Sequence, residues 1–131
     1  MKESLRQERA YRLLYRLGLC EAKKCFATTA DAVCICAANP ARLEFVTKDL
    51  YLDLAKRHGT SWHVVERHLR TACAVAWETT PDLLSVLAGH PLQRRPTPSQ
   101  FVAILSRQVA YRSRRSRRAD LGRQAAQIGQ Q

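Results

Sequence analysis

Glu66, Arg67 and Arg70 are the side chains of this chain best suited to reading the edges of nucleic-acid bases. Arginine's planar fork can donate to both acceptors of a guanine edge, and a carboxylate can accept from a cytosine amino group. Glu66 has a second option. Arg70 stands one helical turn away, so the carboxylate could orient that guanidinium instead of touching a base. Ser61 and His63, just upstream, are polar and would serve the rim of a groove. The chemistry on offer is recognition, and it requires an element that pushes these groups outward together.

Residues 51–70, YLDLAKRHGTSWHVVERHLR, supply that element as a helix, a glycine turn and a second helix. Ala55 falls where the first helix must approach the second, and a larger side chain would force them apart. Gly59 falls at the turn, where a positive φ costs least for glycine. Val65 is apolar and faces back into the angle between the helices. Thr60 or Ser61 can cap the second helix by accepting from an unpaired backbone N–H. Val65, Leu69, Ala72, Cys73 and Ala76 then recur at helical spacing as a stripe to be buried, flanked by Trp77. Glu66, Arg67 and Arg70 lie off that stripe. The arrangement is that of a helix-turn-helix, whose second helix enters the DNA major groove.

The rest of the chain reads as helical too. A first helix is expected over about 4–17, ended by Gly18, with Leu5, Tyr11, Leu14, Tyr15 and Leu17 on its apolar side. A second is expected over about 21–38, with Cys25, Phe26, Ala32, Val33 and Cys36 inward, stopped at Asn39-Pro40 because a residue before proline avoids the helical region. Thr47 is the expected cap of the third helix, which runs to Arg57 and buries Leu50, Tyr51, Leu54 and Ala55. The fourth ends near Trp77 or Glu78. Pro81 opens a short fifth helix bearing Leu83, Leu84 and Leu87, closed by Gly89. Thr97-Pro98-Ser99-Gln100 combines a cap, a first-turn proline and a capping-box glutamine, and starts a sixth helix bearing Phe101, Ile104, Leu105 and Val109. No run alternates like a strand. The expected fold is all-α, a compact six-helix domain over residues 1–111. Residues 112–131 read as a mobile basic tail, or as a helix extension that orders only on a polyanion.

Charge points the same way. Among 131 residues, Lys and Arg total 22 against 11 Asp and Glu, a net charge of +11. Residues 112–131 contribute +5 of this through six Arg and one Asp, so the domain itself is basic. Such an excess suits a polyanionic partner, nucleic acid ahead of an acidic membrane, with binding that weakens steeply in salt. The N-terminal MKESLRQERAYR lacks the apolar segment of a secretory signal, and no apolar run approaches the roughly 20 residues that span a bilayer. A cytoplasmic location and no membrane partner are expected.

Catalysis and metal binding find little support. Five cysteines, an odd number, argue against a disulfide framework. Cys20, Cys25, Cys34 and Cys36 are separated by four, eight and one residues, which matches no familiar zinc site, and Cys34 and Cys36 would point about 200° apart on one helix. Buried thiols acting as small apolar groups are expected, with no metal and no cofactor. His63 and His68 lie on different helix faces, and His90 follows a helix-ending glycine. With no carboxylate pair and no phosphate loop, the chain is not expected to be an enzyme.

Three segments carry a family resemblance: VTKDLYLDLAKRHGTS (46–61), VVERHLRTACAVAW (64–77) and RPTPSQFVAILSRQV (95–109). In order and spacing the chain resembles the C-terminal DNA-binding effector domain of the stage-zero sporulation master regulator, a response regulator, from about Tyr11 to Tyr111. The resemblance implies a transcription regulator that binds double-stranded DNA at short GC-containing boxes. It implies base contacts from Glu66, Arg67 and Arg70, and phosphate contacts from Lys48, Arg94 and Arg95. Tandem or dimeric association on DNA and contact with RNA polymerase near the fifth helix are further implications. An adapter on the same fold, binding polymerase or another regulator, is the alternative. The chain also departs from the family pattern. No segment of these 131 residues reads as a receiver domain, so phosphorylation-driven dimerisation is not carried over. Trp62, His63, His68 and Thr71 differ from the usual residues of this helix. The arginine-rich stretch after Tyr111 is longer and more basic.

Overall fold

The computed structural model describes residues 2–110, and the basic stretch 112–131 lies outside the described residues. Six α-helices form among the described residues: α1 (Lys2–Arg16), α2 (Cys25–Ala38), α3 (Leu52–Arg57), α4 (Trp62–Thr79), α5 (Pro81–Ala88) and α6 (98–110). A 3₁₀ turn (Pro40–Leu43) and a π-type turn (Val46–Tyr51) lead into α3. None of these helices is long and apolar enough to cross a membrane.

Two apolar clusters hold the helices together. One gathers Leu13, Leu14 and Leu17 of α1, Phe26 and Val33 of α2, Ala72 and Ala76 of α4, Leu84 of α5, and Phe101 and Leu105 of α6. The other lies beneath the helix-turn-helix and joins Ala32 and Cys36 of α2 to Leu50, Leu54, Ala55, Val65, Leu69 and Val102. Helices α2, α4 and α6 contribute to both, so the helix-turn-helix is built into the domain core. Tyr11 meets Phe26 in a T-shaped arrangement and Tyr15 stacks on it, at ring-centroid separations of 5.0 and 5.4 Å. Tyr15 nonetheless stays largely exposed, as does Leu5. Ala10 and Leu13 take the inward places on α1 instead.

Most expected boundaries match. Gly18 ends α1 at φ +90°, and Gly89 ends α5 at φ +85°. The Thr97 hydroxyl accepts from Gln100 N–H (3.2 Å) while the Gln100 side chain accepts from Thr97 N–H (3.0 Å), which completes the capping box. Two starts differ. Helix α2 begins at Cys25, not at Glu21, because residues 20–24 turn through Lys23 N–H to Cys20 C=O (3.0 Å) and no side chain caps the helix. Two lysines at this positive helix end also disfavour the earlier start. Thr47 does not cap the third helix. It lies within the π-type turn, which no side chain caps. Arg42 grips that turn instead: its guanidinium donates to Asp49 C=O (3.2 Å) and pairs with the Asp49 (2.7 Å) and Asp53 (2.8 Å) carboxylates. The Arg42 hydrogen bond is the main reason the Asp53 carboxyl sits below its ordinary pKa.

Candidate nucleic-acid interface

The turn between α3 and α4 is closed by a paired backbone motif. Thr60 N–H bonds Ala55 C=O (2.9 Å) and Gly59 N–H bonds Lys56 C=O (3.4 Å). This 6→1 and 5→2 pairing requires a left-handed residue, and Gly59 supplies it at φ +63°. Nothing stands within 4 Å of where a Gly59 Cβ would be, so backbone conformation alone demands glycine there. Ala55 is buried where α3 meets α4, and Val65 is buried on the facing side. Ala55, Gly59 and Val65 thus lie together at the α3–α4 junction. The Ser61 hydroxyl accepts from Val64 N–H (3.4 Å), so this candidate rim residue is also the cap of α4. The His63 ring stacks on Trp62 with centroids 3.7 Å apart.

Val65, Leu69, Ala72, Cys73 and Ala76 are all buried, and they fix the rotation of α4 about its axis. At helical spacing Arg67 then points directly away from the core. Glu66 and Arg70 occupy one shoulder of the helix, and His68 and Thr71 the other. Arg67 is exposed and has no ion-pair partner among the described residues. Arg70 pairs with Glu66, with side-chain exposures of 59% and 29%. The three candidate base-reading groups thus share one accessible surface.

Each shoulder meets a different neighbour. Tyr51, at the end of the π-type turn, is buried against the Glu66–Arg70 shoulder. Its phenol is pushed up to about 12, first by burial and then by the Glu66 charge, with Arg70 opposing. Lys48 is exposed on the same turn. Cys73 follows Glu66 by two helical turns along this flank, and its thiol donates to Pro96 C=O (3.2 Å). That bond anchors the loop bearing Arg94 and Arg95, both exposed. Burial pushes the Cys73 thiol up to about 11, with the Arg95 charge opposing. On the opposite shoulder, His68 Nδ1 lies 3.0 Å from Thr28 Oγ1 of α2. His58, in the turn, lies 2.7 Å from the Asp31 carboxylate of the same helix. Both anchors to α2 were invisible in the sequence, because no local pattern links Thr28 to His68 or Asp31 to His58. Burial, then the Arg67 charge, holds the His68 imidazole below its ordinary pKa.

Among the described residues no three His, Cys, Asp or Glu side chains are grouped as metal ligands would be. Cys25, Cys36 and Cys73 are buried, Cys34 is half-buried and Cys20 is exposed. Burial pushes the Cys34 and Cys36 thiols up to about 11, so both stay protonated and unreactive.

An all-α domain whose helix-turn-helix holds two arginines and a glutamate outward belongs to the class of DNA-binding regulator domains. The family model described as sporulation initiation factor Spo0A C terminal matches residues 10–109, most of the chain. The chain belongs to this family of non-enzymatic, DNA-binding effector domains of transcription regulators.

Proposed function

We propose that this chain is a sequence-specific regulator of transcription that reads double-stranded DNA with α4. Arg67 and Arg70 donate to guanines, and Glu66 holds Arg70 in place or accepts from cytosine. His63 and Ser61 line the groove edge, while Lys48, Arg94 and Arg95 bind phosphates. The observation that carries this reading is the accessible surface shared by Glu66, Arg67 and Arg70 on a helix whose opposite face is wholly buried. Residues 1–111 form the specific domain, and the basic stretch 112–131 adds sequence-independent affinity. Copies associate in tandem or as dimers on DNA. A regulator of this kind acts in the cytoplasm, and it needs no cofactor.

Selection of duplexes from a random pool tests the reading. One enriched motif containing G·C pairs is expected. Deleting residues 112–131 should lower affinity and leave that motif unchanged. A pool that emerges unenriched would refute sequence-specific recognition.

A second reading, compatible with the first, is supported by α5. Val86 is 73% exposed, and it borders a groove of about 570 Å³ lined also by Ala37, Pro40, Leu87 and Arg107. This surface suits a protein partner such as RNA polymerase. A chain that acted only as an adapter would show little affinity for mixed DNA near physiological salt, which separates the two readings.

A further inference from the structure

The phosphate contacts proposed above all lie on one side of α4. Lys48 is carried by the turn against the Glu66–Arg70 shoulder, and Arg94 and Arg95 by the loop anchored further along that flank at Cys73. A helix lying in the major groove has a phosphate strand on each side, so its other flank faces phosphates as well. That flank is formed by α2.

The contacts fix how α2 runs. Asp31 meets His58 in the turn before α4, and Thr28 meets His68 on α4 itself. Passing from Asp31 through Thr28 toward the start of α2 therefore follows α4 forward. Ala32 and Cys36 share one apolar cluster with Val65 and Leu69, and Cys25 and Phe26 share the other with Ala72 and Cys73. Lys24 precedes Thr28 by one turn, on the same face of α2. That position puts it on the His68 side of α4, near enough for its charge to act on the His68 imidazole. Lys24 is exposed and, like its neighbour Lys23, has no ion-pair partner among the described residues.

The fold gives no reason for a cation there. Lys24 occupies the N-cap of α2, where its side chain caps nothing and its charge opposes the helix dipole. A positive charge that opposes the dipole of its own helix, exposed on the open flank of a DNA-reading helix, is placed for a ligand.

The geometry points to Lys24 as a phosphate-binding residue that clamps the DNA strand on the α2 side of α4, opposite Lys48, Arg94 and Arg95. This inference rests on the reading of α4 as the helix that enters the groove. It makes the domain a two-sided clamp, with the bases read between the clamped strands.

The test compares the wild-type chain with Lys24→Ala and Lys24→Arg, on the selected duplex and on a scrambled duplex, across a salt series. One lost phosphate contact lowers the slope of log affinity against log salt by about 0.9. Between about 50 and 200 mM salt, the advantage of wild type over Lys24→Ala should then shrink by roughly 3.5-fold. The loss should be equal on both duplexes, Lys24→Arg should restore both affinity and slope, and thermal stability should not fall. Wild type and Lys24→Ala sharing one affinity and one slope would overturn the clamp and leave the α4 reading intact. A wild-type chain with no salt-dependent affinity for either duplex would bring down the α4 reading itself, and the clamp with it.

Discussion

Removing the Arg70 guanidinium separates the two roles open to Glu66. A bidentate arginine–guanine contact supplies about 1–3 kcal/mol of discrimination, roughly 5- to 150-fold in relative affinity. The Glu66–Arg70 pair is a solvent-exposed i,i+4 ion pair, with Arg70 59% and Glu66 29% exposed, so holding the arginine in place is worth only about 0.3–0.5 kcal/mol, or about twofold. These magnitudes differ enough to measure. A carboxylate that only braces Arg70 makes Glu66→Gln cost about twofold, and makes that cost vanish once Arg70 is gone. A carboxylate that reads cytosine makes Glu66→Gln cost about 1–3 kcal/mol whether or not Arg70 is present. The structure favours the brace, because the Glu66 carboxylate already accepts from the Arg70 guanidinium.

The expected result is a double-mutant cycle in which Arg70→Ala loses discrimination at one base pair and Glu66→Gln adds nothing to it. Fluorescence anisotropy against the selected duplex and its single-base-pair variants, at one fixed salt concentration, reads this out. Both side chains reach solvent, so the variants should unfold within about 0.5 kcal/mol of the parent, and the loss belongs to recognition. Discrimination that survives Arg70→Ala would refute the proposed reading face. A Glu66→Gln cost that persists undiminished in the Arg70→Ala background would refute the brace.

Three further outcomes are expected. Gly59→Ala pays the left-handed backbone penalty alone, about 1–2 kcal/mol, and Gly59→Asn pays less. Gly18→Ala adds a Cβ 2.9 Å from Thr79 Cγ2 at φ +90°, so thermal melts should rank it as the most damaging of the three. Thiol alkylation under native conditions should label exposed Cys20 first and leave buried Cys25, Cys36 and Cys73 unmodified until the chain unfolds; early labelling of Cys73 would contradict its bond to Pro96. The fold holds the His68 imidazole below the 6.5 of a free histidine, so the unfolded chain binds the extra proton and stability declines as pH falls through 6.5 toward the lower folded value. Denaturant melts at about pH 8 and pH 5.5 should show this decline, and His68→Gln should reduce it.

Where the controlling physics is local, the sequence was sufficient. The Gly59 turn, the Ser61 cap, the buried stripe of α4 and the Thr97–Gln100 capping box each involve partners within a few residues, and all are found as expected. The rotation of α4 follows from the stripe alone, so the outward placement of Glu66, Arg67 and Arg70 was legible before any tertiary contact was known. Thr47 illustrates the limit. Its sequence context suits a cap, but the turn it occupies is shaped by Arg42, which reaches Asp49 and Asp53 across 7 and 11 residues. No periodicity reports contacts of that range.

The flanks of α4 follow the same rule at longer range. Which lysine faces a phosphate depends on which helix lies beside the reading helix and in which direction it runs. Here that is decided by His58–Asp31 and Thr28–His68, contacts between residues 27 and 40 positions apart. Lys23 and Lys24 read in sequence as ordinary solvated charges near a helix start. Only the packing of α2 along α4 turns one of them into a partner for the far strand. Base-reading residues can be found from a helix's own period, because the face opposite a buried stripe must be the face presented. Phosphate contacts come from whichever elements the fold sets alongside, so their discovery has to wait for the tertiary structure.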